Sequence, residues 1–176
     1  MELFDLYTED RVRTGRTMVR GTKVPEGLYR LVVHVCIFDR EGRMLIQQRQ
    51  PFKQGWSNYW DLTVGGCAVA GDTSRTAAER EVREEIGLEL DLSDIRPSLT
   101  LNFDGGFDDY YVLTQEVDPS ALHLQEEEVQ AVRWATHDEI IDMIREGTFI
   151  TYHESFIDMC FAMSDSYGEH ADEDLR

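Results

Sequence analysis

The alternation of apolar and polar positions predicts a chain built mainly of strands. Residues 31–38, LVVHVCIF, form a continuous apolar run, which is typical of a strand that is buried on both faces. A turn at 39–42 and a returning strand at 43–49 follow it. Segments rich in β-forming residues predict further strands at 62–64, 96–103, 110–116 and 129–135.

Three segments have the spacing of amphipathic helices. The first begins after Thr73, a good N-cap residue, and ends at Gly87, which can adopt the left-handed conformation. The second is capped by Thr136 and ends at Gly147, and the third begins at His153. We expect the third helix to bury Phe156, Met159, Cys160 and Met163.

The two ends of the chain carry weaker patterns. Residues 1–29 alternate weakly and have turn signals at 14–15 and 25–27, so we expect a hairpin or an edge segment. Residues 164–176 are acidic and nearly without apolar anchors, which predicts a disordered tail. The remainder, residues 1–163, is expected to be one α/β domain with a mixed sheet, since strands flank a central helix and more helix follows.

Composition narrows the function classes. A net charge of −18 over 176 residues argues against binding a nucleic-acid polymer or an anionic membrane surface, because both need a basic surface. The sequence has no apolar run of 18 residues and no apolar core near its start, so we expect neither a signal peptide nor a membrane span. Cys36, Cys67 and Cys160 are widely spaced and odd in number, which favours reduced thiols in a cytoplasmic protein.

The first helix carries the strongest chemical signal. Glu81, Glu84 and Glu85 are spaced i, i+3 and i+4 beside an apolar stripe, so their carboxylates converge on one side. Carboxylates at this density repel one another unless they are protonated or a cation lies between them. Oxygen-only ligands suit Mg²⁺ or Mn²⁺. For an isolated triplet the alternative would be a solvated acidic helix face.

The triplet is not isolated, however. The order of glycine pair, loop acid, capped helix, REVREE and terminal glycine resembles the Nudix box, G-x5-E-x7-R-E-U-x-E-E-x-G-U with U apolar. The matching residues are Gly66, Arg80, Glu81, Val82, Glu84, Glu85, Gly87 and Leu88. One position departs from the pattern, since Asp72 stands where the family normally has Glu. The resemblance implies an α/β/α sandwich and hydrolysis of a nucleoside diphosphate linked to another group, X.

The resemblance also implies roles for the residues of the box. Glu81, Glu84 and Glu85 would be metal ligands together with the backbone carbonyl of Gly66. Arg80 would orient the glutamates, and Asp72 would have to reach Arg80 with one methylene fewer, giving a looser contact. The general base comes either from the helix, where Glu84 is the candidate, or from outside the box. Glu127 and Glu128 are the candidates there, unless they belong to a solvated acidic loop.

Several residues are candidates for holding the substrate. Arg49 resembles a basic residue that lies near the diphosphate in the family, and Lys53 follows it; the alternative for both is a solvated strand end. Trp60 is expected in the core, whereas Trp56 either fills the edge of the core or stacks on a ligand. The N-terminal segment is the most basic part of the chain, and one or two of its cations either reach a substrate phosphate or simply face solvent. These cations are Arg11, Arg13, Arg16, Arg20 and Lys23.

Two other functions stay open at this stage. The segment WSNYWDL and the order of the strands resemble the subgroup of isopentenyl-diphosphate isomerase, which shares the fold but moves a double bond. That enzyme needs a cysteine where this chain has Gly65 and a metal-binding histidine where it has Cys67. A non-catalytic nucleotide-binding module is the other alternative, although the complete glutamate set favours catalysis. A homodimer is also left open, and His34 is interpreted as a core histidine.

Overall fold

The computed structural model describes residues 2–168 and residue 170. Its strands are β1 (Leu3–Tyr7), β2 (Arg13–Val19), β3 (Arg30–Phe38), β4 (Met44–Arg49), β5 (Trp60–Asp61), β6 (Val64–Cys67), β7 (Leu99–Phe103), β8 (Gly106–Thr114) and β9 (Val129–Ala135). Its α-helices are α1 (Ser74–Ile86), α2 (His137–Glu146) and α3 (Glu154–Asp165), and a short 3-10 helix covers Pro119–Ala121.

A mixed sheet forms the centre of the described chain. Its strands run in the order β5-β4-β3-β8-β7, with β6 added beside β3 and β9 beside β4. The pair β3–β8 is parallel and the other pairs are antiparallel. The long apolar run therefore lies at the middle of the sheet, where burial on both faces is expected. The predicted α/β class with a mixed sheet is confirmed.

The two faces of the sheet carry separate apolar cores. On one face Val33, Val35 and Ile37 of β3 pack with Val82 and Ile86 of α1. On the other face Cys36 and Phe38 pack with residues of α2 and α3, including Ile140, Ile157 and Cys160. Because consecutive strand residues point to opposite faces, the single run 31–38 supplies both cores. This gives the helix–sheet–helix layering that the family resemblance implies.

The N-terminal segment is a hairpin, as predicted, but its turn lies elsewhere. β1 and β2 pair antiparallel through the register Leu3↔Val19, and the connection covers residues 8–12. The predicted turn at 14–15 is instead part of β2, where Gly15 keeps a φ of 74°. Phe4, Leu6 and Met18 form a small third core that packs on Cys67 and Val69. The hairpin is thereby attached to the glycine-rich loop before α1.

Several predicted boundaries are shifted for local reasons. The strand expected at 96–103 begins only at Leu99, since Pro97 has no N–H to donate to a ladder. Of the strand expected at 62–64, only Val64 belongs to a strand, β6. Leu62 and Thr63 connect β5 to β6, and the buried hydroxyl of Thr63 donates to the carbonyl of Leu45. The strand expected at 110–116 begins earlier and ends earlier, at Gly106–Thr114.

The prediction for the third helix was partly wrong. Cys160 is buried, but Ile157 is the other fully buried residue of α3, and Met159 is 46% exposed. Ile157 and Cys160 are three positions apart and share the inward face, whereas Met159 lies off that face. The helix also continues to Asp165, past the expected domain limit at 163. Residues 169 and 171–176 of the predicted tail lie outside the described residues. None of the described helices has the length and apolar character of a membrane span.

Candidate active site

Helix α1 fixes the glutamate triplet because both of its ends are well defined. Thr73 and Thr76 form a capping box at the N-terminus, and Gly87 ends the helix with a φ of 69°. Both ends agree with the sequence prediction. Val82 and Ile86 anchor the helix on the sheet, and Glu85 lies beside them, only 7% exposed. Packing of the apolar stripe therefore brings a carboxylate into the interior.

The triplet faces a polar cavity of about 300 Å³ at the edge of β6. Nine charged residues and four others line it: Glu2, Glu81, Glu84, Glu85, Glu128, Arg20, Arg49, Lys53, Arg80, Gly65, Gly66, Cys67 and Gln125. Acidic and basic groups thus share one small space. Of the residues predicted for the site, the structure brings together all three box glutamates, Gly66, Arg80, Arg49, Lys53 and Glu128.

Arg80 links the loop acid to the glutamates. Its Nε and Nη2 both donate to Oδ2 of Asp72, at 3.1 and 3.0 Å, so the shorter acid does reach it. Its Nη1 donates to Glu81 at 3.0 Å and to Glu84 at 3.1 Å. The guanidinium also donates to the carbonyl of Cys67 at 3.2 Å. One cation therefore orients two of the three glutamates and the loop before the helix.

Burial and mutual repulsion shape the charge of the other carboxylates. Burial, followed by the nearby charge of Glu81, raises the pKa of Glu85 to about 8. The amide of Gln47 donates to Glu85 at 3.0 Å and opposes part of that shift. Burial also raises the pKa of Glu81, although Arg80 lowers it in turn. A cation placed near such buried, mutually repelling carboxylates stabilises their ionised form.

The donor set fits a hard divalent ion in its chemistry. The three box glutamates offer oxygen atoms only, and Gly66 allows the backbone to lie against Glu81, since a Cβ there would stand 2.5 Å from Oε2 of that residue. Within residues 2–168 and 170, however, no three acidic, histidine or cysteine side chains are already gathered closely enough to hold a metal. Glu84 pairs with Arg80 instead, and 52% of its side chain is exposed. Two of these three ligands, Glu81 and Glu84, are thus engaged with Arg80.

The basic side of the cavity contains an unsatisfied donor. The buried Nε of Arg49 makes no hydrogen bond with any described residue. Lys53, by contrast, forms an ion pair with Glu128 across the cavity. Glu127, the other acidic candidate outside the box, is exposed and does not line the cavity. A buried donor without an acceptor is costly, which makes Arg49, whose side chain lines the cavity, a candidate for binding an anion.

Other predicted substrate residues lie elsewhere. Trp56 is not among the residues that line the cavity; it is 45% exposed, has a φ of 51° and contacts Tyr59 edge-on. Of the five N-terminal cations, Arg20 alone lines the cavity. Arg11 instead pairs with Asp109 at 2.6 Å. The sequence does not determine where the side chains of an irregular loop or of a basic segment point. This explains why Trp56 and four of the five N-terminal cations lie outside the cavity.

Sequence reasoning missed three polar residues of this region. Glu2 and Gln125 line the cavity, and Gln47 holds Glu85 from strand β4. Gln47 is only 3% exposed, and its place two residues after Leu45 in the predicted strand, hence on the same face, could have revealed an inward polar side chain. Glu2 and Gln125 reach the cavity through packing between distant segments, for which the local sequence has no pattern.

Gly65, the residue before the box, lies against His34 on the face of the sheet opposite to α1. His34 donates or accepts at Asp108, 2.7 Å away, and stacks on Tyr110, as expected for a core histidine. A Cβ at Gly65 would stand 2.6 Å from Nε2 of His34. The space that a cysteine would need at this position is therefore filled by the imidazole, which disfavours the isomerase alternative.

Comparison with known proteins agrees with this arrangement. Residues 28–156 match the NUDIX domain. The chain is 46% identical over 170 residues to an uncharacterized Nudix hydrolase of Listeria innocua, covering 97% of this chain and 99% of that one. An isopentenyl-diphosphate Δ-isomerase of Halobacterium salinarum is 24% identical over 77% of this chain and 67% of its own length. A solved protein from Deinococcus radiodurans shares the fold with a TM-score of 0.73, at 22% identity, over 90% of this chain and 99% of that one. This chain therefore belongs to the Nudix hydrolase family and is a pyrophosphohydrolase.

Proposed function

We propose that the protein hydrolyses a phosphoanhydride bond in a small nucleoside diphosphate linked to X, with Mg²⁺ or Mn²⁺ as cofactor. The observation that carries this proposal is that Arg49, whose Nε is unsatisfied, lines the same cavity as the box glutamates. A diphosphate supplies acceptors to such a donor, and the carboxylates of the same cavity would hold the metal that neutralises its charge. The volume of about 300 Å³ suits a diphosphate and leaves the rest of the substrate outside.

In this proposal Glu81, Glu84 and Glu85 hold the metal, and the carbonyl of Gly66 is a further ligand. When bound, the ion supplies charge neutralisation and polarises the diphosphate toward attack by water. Arg80 keeps Glu81 and Glu84 oriented through contacts that Asp72 anchors. Gln47 fixes the third carboxylate, on Glu85, by its amide.

The basic residues of the cavity position the substrate. Arg49 binds a phosphate oxygen through the donor that the protein itself leaves unsatisfied. Lys53 lines the same cavity and neutralises a second oxygen. Its ion pair with Glu128 keeps that carboxylate near the place where the phosphate would lie. Glu128 and Glu84 are accordingly the two candidates that accept a proton from the attacking water.

A substrate panel with matched variants tests the proposal. Nucleotide sugars, dinucleotides, coenzyme A, nucleoside triphosphates and isoprenoid diphosphates are incubated with Mg²⁺, and products are identified by mass in water labelled with oxygen-18. We expect cleavage of a phosphoanhydride with one labelled oxygen incorporated, and no turnover in excess EDTA. An isomerised isoprenoid diphosphate, or full activity in EDTA, would contradict the proposal.

Variants then assign the carboxylates. Glu84→Gln and Glu128→Gln remove one candidate base each, while Glu89→Gln, on the exposed segment after α1, serves as the control. We expect kcat to fall by several orders of magnitude in the variant that lacks the base. In that variant the rate should also no longer increase with pH as it does when the base of the parent loses its proton. Full activity in both variants would show that neither carboxylate activates water.

A further inference from the structure

The N-terminal hairpin, which lies outside the matched NUDIX domain, contributes to the wall of the catalytic cavity. The domain match begins at residue 28, whereas Glu2 and Arg20 line the cavity beside the box glutamates. Glu2 immediately precedes β1 and Arg20 immediately follows β2, so both stand at the open end of the hairpin. The backbone N–H of Arg20 donates to the carbonyl of Glu2 at 3.0 Å, which keeps the two residues adjacent.

The position of this hairpin end is fixed by the loop that leads into the box. The N–H of Ala70 donates to the carbonyl of Leu3 at 2.7 Å, and the N–H of Gly71 donates to Asp5 at 2.9 Å. Phe4 and Met18 pack against the same loop. Apolar contacts and hydrogen bonds therefore hold Arg20 at one place relative to the glutamates of α1.

Unlike Arg80 and Lys53, Arg20 forms no ion pair with a described glutamate of α1 or of the loop before β9. Arg80 is shared among Asp72, Glu81 and Glu84, and Lys53 is paired with Glu128. The partner of Arg20 is Glu2, at 2.7 Å, and 63% of the Arg20 side chain is exposed. An exposed pair of this kind contributes little to stability and exchanges easily with another anion.

We propose that Arg20 is a substrate-binding residue that recognises the phosphate group at the mouth of the cavity, with Glu2 as the anion that it leaves when substrate binds. This inference rests on the proposed function and extends it to a segment outside the family domain. The substrate class is a compound with two or more linked phosphates, of which the inner one meets Arg49 and the outer one meets Arg20. A guanidinium suits this role because it binds a phosphate through two parallel N–H groups.

If the substrate phosphate replaces Glu2 as the partner of Arg20, then substitutions of Arg20 and of Glu2 should change KM in opposite directions. Loss of the Arg20 guanidinium removes a charge-assisted hydrogen bond to substrate, so KM rises. Loss of the negative charge at Glu2 removes both a competitor for Arg20 and a repulsive charge at the mouth, so KM falls. A hairpin that served only to support the fold would give effects of the same sign for both variants.

The test compares Arg20→Ala, Arg20→Lys and Glu2→Gln with Arg16→Ala, an exposed arginine of β2 that does not line the cavity. With a substrate that the parent turns over, we expect KM to rise about tenfold in Arg20→Ala and less in Arg20→Lys, with kcat changed by less than about threefold. Glu2→Gln should lower KM, and Arg16→Ala should leave it unchanged. Thermal unfolding of each variant checks that the hairpin is intact.

Binding of inorganic pyrophosphate, measured by calorimetry, provides a readout that needs no turnover. Its affinity should fall about tenfold in Arg20→Ala and rise in Glu2→Gln. Equal KM values and equal pyrophosphate affinities in Arg20→Ala and Arg16→Ala would overturn the role of Arg20 and leave the hydrolase proposal standing. A parent that binds pyrophosphate through Arg20 but cleaves no compound of the panel would instead overturn the proposed function alone.

Discussion

Replacing Glu85 by Gln should stabilise the metal-free protein while abolishing its activity. The pKa of Glu85 lies at about 8 in the folded protein, against an ordinary value of 4.5, because the group is buried near Glu81. An acid whose pKa is raised by folding is deprotonated more readily in the unfolded chain. The free energy of unfolding therefore contains a contribution that is complete below pH 4.5 and is lost as the pH rises toward 8.

The size of the effect follows from the two pKa values. Linkage gives a loss of stability of about 3 kcal/mol at pH 7 and of less than about 1 kcal/mol at pH 5. Gln has the shape of Glu but no charge to desolvate, and its carbonyl still accepts the hydrogen bond from Gln47. For a chain of this size, 3 kcal/mol corresponds to a rise in Tm of roughly 6–12 °C.

The assay is chemical and thermal unfolding in EDTA at pH 5 and pH 7, for the parent, Glu85→Gln and the exposed control Glu89→Gln. We expect Glu85→Gln to be more stable than the parent at pH 7 and nearly equal to it at pH 5, and the control to match the parent at both. Addition of Mg²⁺ should raise the Tm of the parent more than that of Glu85→Gln. A difference that is the same at both pH values, or a less stable Glu85→Gln at pH 7, would refute the reasoning.

Three further predictions concern other parts of the molecule. Asp72→Ala should lower kcat about tenfold or more, because Arg80 loses its anchor, whereas Asp72→Glu should keep at least the parental rate. Steady-state kinetics test this, and equal rates in all three proteins would contradict the role of this contact. Gly65→Ala should destabilise the fold by about 1–3 kcal/mol through its contact with His34, as measured by urea unfolding, and an unchanged midpoint would show that the imidazole moves away freely. Long single-stranded RNA should not bind in gel-shift titrations at low salt, given a net charge of −18, and tight binding would disprove the preference for small substrates.

The sequence was most informative where one short segment contains its own constraints. Both caps of α1 were predictable, because Thr73 and Gly87 act on neighbouring backbone groups. The contact between Asp72 and Arg80 was expected from the resemblance to the Nudix box, although as a looser one than the two hydrogen bonds that form.

What depends on packing between distant segments was not predictable. The approach of Glu2 to the cavity depends on the small core under the hairpin, which joins residues about 65 positions apart. The exposure of Trp56 depends on how a loop without regular period folds back on Tyr59. In both cases the residue type suggested a role, but only the folded chain determines the direction of the side chain.

The glycine pair also limits the order in which mutations can change the chemistry of this site. A side chain at Gly66 would meet Glu81 on one face of the sheet, and a side chain at Gly65 would meet His34 on the other. A nucleophilic or acidic residue at Gly65 could therefore be accommodated only after His34 had become smaller. That first step would remove the contact of His34 with Asp108 and leave the carboxylate with the hydrogen bond from Tyr110, at a cost in stability. Evolution of a new activity from this chain would have to pass through a destabilised intermediate, so laboratory selections for it should begin from a stabilised background or replace both residues at once.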